Sequence, residues 1–251
     1  MSLVLAADYR VPDFDHWWAT LTGDLPRLPS LGAHHIVVYR SLEDASRIFV
    51  TIGVREPRPA AGGQASPAAA VGQASPAAAG GQASPAAAGG KASPAAAGGK
   101  ASMVDALLRS PVMFSWFDSA GVEEIPPMFA GEVVEKLELA GEAAPPAAAG
   151  AVIVAAIAPV DRLEGLDRMR ASVHAAAARL AASGVRRFWI YRALDDQAEV
   201  MILQEIATER QAEQWVRHPD AAAAFMAEAG AGAYPPLFVG RLVQAIEVPG
   251  N

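Results

Sequence analysis

The chain has 251 residues, a net charge of −7 and a pI near 5.2, so it offers no basic footprint for nucleic acid or an anionic membrane surface. It contains no cysteine, which excludes disulfides, thiolate metal sites and a cysteine nucleophile, and suits the cytoplasm. Met1 to Arg10 lacks a positively charged start followed by an apolar run, and no stretch reaches about 18 apolar residues free of turn signals, so neither a signal peptide nor a membrane span is expected.

In chain order, Leu3 to Val11 is rich in strand formers and predicts a first strand, stopped at Pro12-Asp13. Asp13 is placed to N-cap a helix from Phe14 to Leu21, kept short by Gly23, Pro26 and Pro29. Strands follow at His34 to Arg40 and Arg47 to Val54, joined by a polar hairpin loop. From Arg55 to Ser102 the pattern breaks. A nine-residue unit, GQASPAAAG, recurs from Gly63 with Val71 as its single large apolar side chain. Nothing in it offsets the entropy of ordering, so a disordered insertion in a loop is expected.

Ser102 caps a helix through Leu107 and Leu108, and Ser110-Pro111 restarts it. Phe114 and Phe117 should face one core, and Gly121 should close the helix. Pro126-Pro127 leads into a fourth strand, Phe129 to Leu139, and residues 140–150 form a linker. A strand from Ala151 to Ala158 opens the second half, its uniform apolar character suiting a strand covered on both faces. A helix from Asp161 to Ala182 follows, with Leu163, Leu166, Met169, Val173, Ala177 and Leu180 as its stripe. Then come strands Arg186 to Arg192 and Glu199 to Ile206. Thr208 and Gln211 make a capping box for a helix carrying Trp215, a further helical piece runs to Gly230, and the last strand is Phe238 to Val248.

The two halves are copies. Gly32 to Val54 recurs without a gap as Gly184 to Ile206, with Gly32/Gly184, Tyr39/Tyr191, Arg40/Arg192, Leu42/Leu194 and Asp44/Asp196 identical. Pro126-Pro127-x-Phe129-x-Gly131 answers to Pro235-Pro236-x-Phe238-x-Gly240 in the same order. A unit has been duplicated. The division is 1–139 for the first unit, with 55–102 as its insertion, 140–150 for the linker and 151–251 for the second.

Each unit reads strand, helix, strand, strand, helix, strand, a ferredoxin-like α+β order. With VPDFDHW at Val11–Trp17, the VYR and IYR strands with their acidic turns, and SPVMFSWFDSAG and HPDAAAAFMAEAG ahead of Pro-Pro-x-Phe, the chain resembles the dimeric α+β barrel superfamily that includes the antibiotic-biosynthesis-monooxygenase-like proteins. The resemblance implies two units packed sheet against sheet into a barrel, here closed as a pseudo-dimer within one chain, a monomer that could assemble further. Haem-degrading members use an asparagine with a histidine and a tryptophan, whereas asparagine occurs here only at Asn251.

Strand alternation puts His35, Val37 and Tyr39 on one face, matched by Arg187, Trp189 and Tyr191. If Arg40 pairs with Arg47, that face also takes Ile48, Val50 and Ile52, and in the second copy Val200, Ile202 and Gln204. His35, Tyr39, Arg187, Trp189, Tyr191 and Gln204 are therefore the expected lining of a barrel interior holding a small apolar or aromatic ligand. His34-His35 should point to opposite faces and cannot chelate one ion together, so no metal is expected. There is no P-loop, no nucleophile elbow, no H-E-x-x-H and no dinucleotide fingerprint, and no cofactor is expected. Three functions stay open: a small-molecule-binding barrel, a cofactor-independent monooxygenase or isomerase with His35 or Tyr39 as general acid–base and Arg187 steadying an anion, and an interaction protein whose barrel is filled by its own side chains.

Overall fold

The computed structural model describes residues 3–55, 109–122, 124–139, 150–160, 162–217, 227 and 237–248. The nine-residue repeat, the helix expected before Arg109, most of the linker and the helical piece expected up to Gly230 lie outside the described residues. The elements are β1 (Leu3–Arg10), α1 (Phe14–Asp24), a 3-10 segment (Leu25–Leu31), β2 (Ala33–Ser41), β3 (Arg47–Val54), α2 (Pro111–Ser119) and β4 (Met128–Glu138), then β5 (Val152–Pro159), α3 (Arg162–Ala182), β6 (Val185–Ala193), β7 (Glu199–Ile206), α4 (Glu209–Arg217) and β8 (Phe238–Glu247). Among these helices none is long and apolar enough to cross a membrane.

The eight strands close into one barrel, ordered β1-β3-β2-β8-β5-β7-β6-β4, with every neighbour antiparallel. Counting round the ring, β1 and β5 run the same way, so the pseudo-twofold that exchanges the units lies along the barrel axis. The last strand of each unit joins the two units. β4 pairs with β1 of its own unit and β6 of the other, and β8 pairs with β5 and β2. The expected barrel from one chain is what the fold delivers.

The duplication is visible in local chemistry. Gly32 and Gly184 take φ of 81° and 94°, a left-handed turn that favours glycine, and each then accepts at its carbonyl from the residue that ends the hairpin (Arg55 N–H at 2.9 Å, Ala207 N–H at 2.8 Å). Asp13 caps α1 as expected, its carboxylate accepting from Asp15 N and His16 N at 3.0 Å. An Asp13→Ala variant should therefore lose about 1 kcal/mol, read as a lower urea midpoint with an unchanged slope.

Three apolar layers result. Outside the barrel, Trp17, Leu21, Ile36, Val38, Ile48, Val50, Met113 and Phe117 pack the first unit's helices onto its sheet. Leu166, Met169, Val173, Phe188, Ile190, Val200 and Ile202 do the same in the second. Inside, Val4, Ala6, Tyr39, Phe49, Phe129, Ile153, Met201, Leu203, Phe238 and Leu242 meet around the axis.

Three expectations are corrected. Arg40 pairs with Ile48 and not Arg47, and Arg192 pairs with Val200. A slip of one residue turns a strand over, so Ile48, Val50, Val200, Ile202 and Gln204 face the helices while Phe49, Met201, Leu203 and Glu205 face inward. Phe114 is exposed, and only Phe117 of that pair reaches the core. A bulge between Ala33 and His35 breaks strict alternation. It brings the His34 and His35 rings edge to face at 4.4 Å, both leaning over Gly53.

Candidate functional site

Five of the six residues expected to line the interior do face it, and Gln204 does not. They do not gather in one place. His35 and Arg187, at the start of β2 and β6, occupy matched positions at one end of the barrel. Tyr39 and Tyr191 sit deeper, and Trp189 is partly buried against the inner layer. Burial lowers the His35 pKa, with His34 adding to it and Glu247 opposing, so the imidazole is neutral at physiological pH. Burial raises the Tyr39 hydroxyl well above its ordinary value, helped by Tyr191 and Glu205, and pushes Tyr191 up to about 12. Both tyrosines stay protonated at neutral pH and can donate hydrogen bonds but not act as bases.

Arg187 is already engaged. Its Nε donates to Glu138 at 2.9 Å and its Nη1 to Glu205 at 3.0 Å. Glu205 is 3 % exposed. This ion cluster stoppers the barrel at the His35 end and leaves Arg187 paired with two carboxylates.

A different cavity lies in the first unit, between the outer face of the sheet and the helices. It has a volume of about 50 Å³ and is walled by Ala7, Tyr9, Leu28, Met113, Trp116 and Phe117 among others. The local sequence explains its aromatic character. Residues Phe14, Trp17 and Trp18 on α1 and Trp116 and Phe117 on α2 form a chain of ring contacts with centroids 5.0 to 6.4 Å apart that runs through Tyr9. Trp17 is fully buried and donates its indole N–H to the Tyr9 hydroxyl at 3.1 Å. Burial raises the Tyr9 hydroxyl far above its ordinary value despite that bond. It therefore keeps its proton and has it to give. The indole N–H of Trp116 is buried with no hydrogen-bond partner among the described residues, and an unsatisfied buried donor is costly.

Among the described residues the second unit does not repeat the Tyr9–Trp17 pair. The position of Trp17 is taken by Leu166 and that of Tyr9 by Ala158, and both are buried in the second unit's outer apolar layer. The signal available in the sequence is the change of Tyr9 to Ala158 and of Trp17 to Leu166 at matched positions of the two copies.

No family model matches the sequence, and no curated protein matches it. Solved structures do match in fold. An anthrone oxidase-like protein is 12% identical with a TM-score of 0.56, the match covering 98% of this chain and 93% of that one. A protein of Fusobacterium nucleatum assigned as a monooxygenase is 6% identical with a TM-score of 0.52, covering 100% and 96%. One of Lactobacillus acidophilus with the same assignment is 8% identical with a TM-score of 0.51, covering 100% and 98%. The chain thus has the α+β barrel fold of the antibiotic-biosynthesis-monooxygenase-like proteins, with both halves of the barrel drawn from a single polypeptide.

Proposed function

We propose that this protein binds a small, flat, largely apolar molecule bearing an oxygen acceptor, in the cavity between sheet and helices of the first unit. The observation that carries the reading is the pair of hydrogen-bond donors at a largely apolar cavity that Asp24 and Arg27 also border: the unpartnered indole N–H of Trp116 and the hydroxyl proton of Tyr9. Such a site is apolar with a few convergent polar groups, the usual make-up of a small-molecule site. Its present volume is about 50 Å³, against about 150 Å³ for an apolar cavity that admits benzene. A ring system therefore enters only if the wall moves, and the short 3-10 segment carrying Leu28 is the part with least regular hydrogen bonding.

The likeness to an anthrone oxidase-like fold supports a second reading, in which dioxygen oxidises the bound molecule without a cofactor. A tricyclic ketone such as anthrone is flat, apolar and carries one carbonyl acceptor, so it serves as the probe for both readings. Anthrone should quench the tryptophan fluorescence saturably. Trp116→Phe should weaken binding about fivefold, the worth of one hydrogen bond of roughly 1 kcal/mol, and Leu28→Trp should block it by filling the cavity. Equal affinity in all three proteins, or no binding at all, would overturn the proposal. Dioxygen uptake with formation of anthraquinone and water would select the enzyme reading over simple binding.

A further inference from the structure

The barrel has a second end, opposite the Arg187 cluster. There the starts of β3, β4, β7 and β8 meet the ends of β1 and β5 around an open cavity of about 350 Å³. We propose that this mouth is a binding site for a small organic cation with an aromatic or apolar body, its positive group paired with the Glu199 carboxylate. The volume falls in the range of small-molecule sites, roughly 300 to 1,000 Å³.

The case rests on a broken symmetry. The pseudo-twofold passes through the mouth, so each rim position occurs twice. In the first unit the rim carries Asp8 and Arg47, which pair through two hydrogen bonds, Nε to Oδ1 at 2.8 Å and Nη2 to Oδ2. At the matching positions the second unit has Ile157 and Glu199. The basic residue has become a carboxylate and its partner an alkyl chain. The Glu199 carboxylate makes no hydrogen bond or ion pair to any described residue. Burial, followed by Asp195 and Asp196, pushes its carboxyl above the ordinary value. Counting Asp8, Arg47 and Glu199, one net negative charge is left on the rim, with Asp195 and Asp196 adding to the negative field beside it, and a partly buried carboxylate without a counter-ion is unfavourable.

The rest of the lining suits what would neutralise it. Phe49, Phe129 and Phe238 present rings to the cavity, and phenyl faces attract cations. One of these faces already carries a cation: the Arg47 guanidinium stands over Phe238 at 5.3 Å. Ala155 and Ile157 add apolar wall. An anion is repelled by Glu199, and a bare metal ion finds no third ligand, since among the described residues no three histidine, aspartate or glutamate side chains cluster. A monocation with an apolar body answers both the single charge and the rings.

The test is calorimetric titration of the full chain with naphthylmethylamine and with its neutral counterpart naphthylmethanol. The amine should bind saturably and at least about tenfold more tightly than the alcohol, the worth of a hydrogen bond to a charged group. Glu199→Gln should erase that difference and leave the alcohol unchanged. Because the substitution removes a repelled charge, the variant should melt no lower than the parent, so a lost preference would not reflect unfolding. Ala155→Phe, which narrows the cavity and leaves the carboxylate, should weaken both probes. Absence of amine binding, equal affinity for the two probes, or an amine preference that survives Glu199→Gln overturns the proposal. Glu199 does not wall the helix–sheet cavity, so the outcome is independent of the function proposed above.

Discussion

Replacing Arg187 by alanine should destabilise the protein by about 3–5 kcal/mol, the cost of breaking a buried ion pair from one side. The guanidinium is the shared partner of Glu138 and Glu205, with its side chain 10% exposed and that of Glu205 3%. Its loss strands the buried Glu205 carboxylate without its ion-pair partner. Melting followed by circular dichroism should show a fall of about 10 °C or more for a chain of this size. The measurement belongs at neutral pH. Lys136, then Arg187, hold the Glu138 carboxyl below its ordinary 4.5, so its contribution is complete above that pH and fades only as acid protonates it. The control is Arg187→Met combined with Glu205→Leu. If charge is the cause, the apolar pair recovers most of the loss. If the double variant is no better than the single, the residue matters for its packing and the ion-pair account fails.

The second large effect is expected at Gly131 and Gly240. In both copies of the Pro-Pro-x-Phe-x-Gly motif the phenylalanine ring folds back over the glycine two residues on, and a Cβ there would collide with the ring. Phe129 and Phe238 are 3% and 2% exposed in the inner layer, so a ring that moves aside gives up that packing. From the neighbouring strand, Arg192 O lies 2.7 Å from the Cβ position at Gly131 and Arg40 O 2.9 Å from that at Gly240. Close backbone approach is what a glycine inside a strand usually marks. Each Gly→Ala variant should cost about 3 kcal/mol, the upper end for overpacking. Gly23, where nothing lies within 4 Å of a Cβ, is the neutral comparison. Chemical denaturation of the three alanine variants decides the matter: similar midpoints would mean that the motif is not held by steric need.

These residues also show how far the sequence could be read. The duplication and the strand order were legible because matched glycines, arginines and Pro-Pro motifs mark the same turns twice. The inward faces of β2 and β6 were legible because polar and aromatic residues alternate with aliphatic ones. β3 and β7 were not. Alternation separates Arg47, Phe49, Thr51 and Gly53 from Ile48, Val50, Ile52 and Val54, but which set lines the axis depends on the pairing with β2, and the register is set by the loop. There Asp44 accepts from Ser46 N at 2.9 Å and from Arg47 N at its carbonyl, and Arg47 is drawn to Asp8 on β1. That long-range pair fixes which way β3 faces, and with it which residues reach the axis. The site in the first unit was hidden for a related reason. A tryptophan that packs and a tryptophan that waits for an acceptor look alike until its neighbours are placed.

A barrel assembled from two identical chains would present every rim residue in duplicate. Any guest lying on its axis would then find two equivalent orientations. Here one polypeptide supplies both halves, and mutation has been free to alter one without the other: Arg47 matched by Glu199, His35 by Arg187, the Tyr9–Trp17 pair by Ala158 and Leu166. The inner space has acquired two different sides. A guest without internal symmetry can be held in one direction, once per chain, a selectivity closed to a symmetric pair of subunits however well each is shaped.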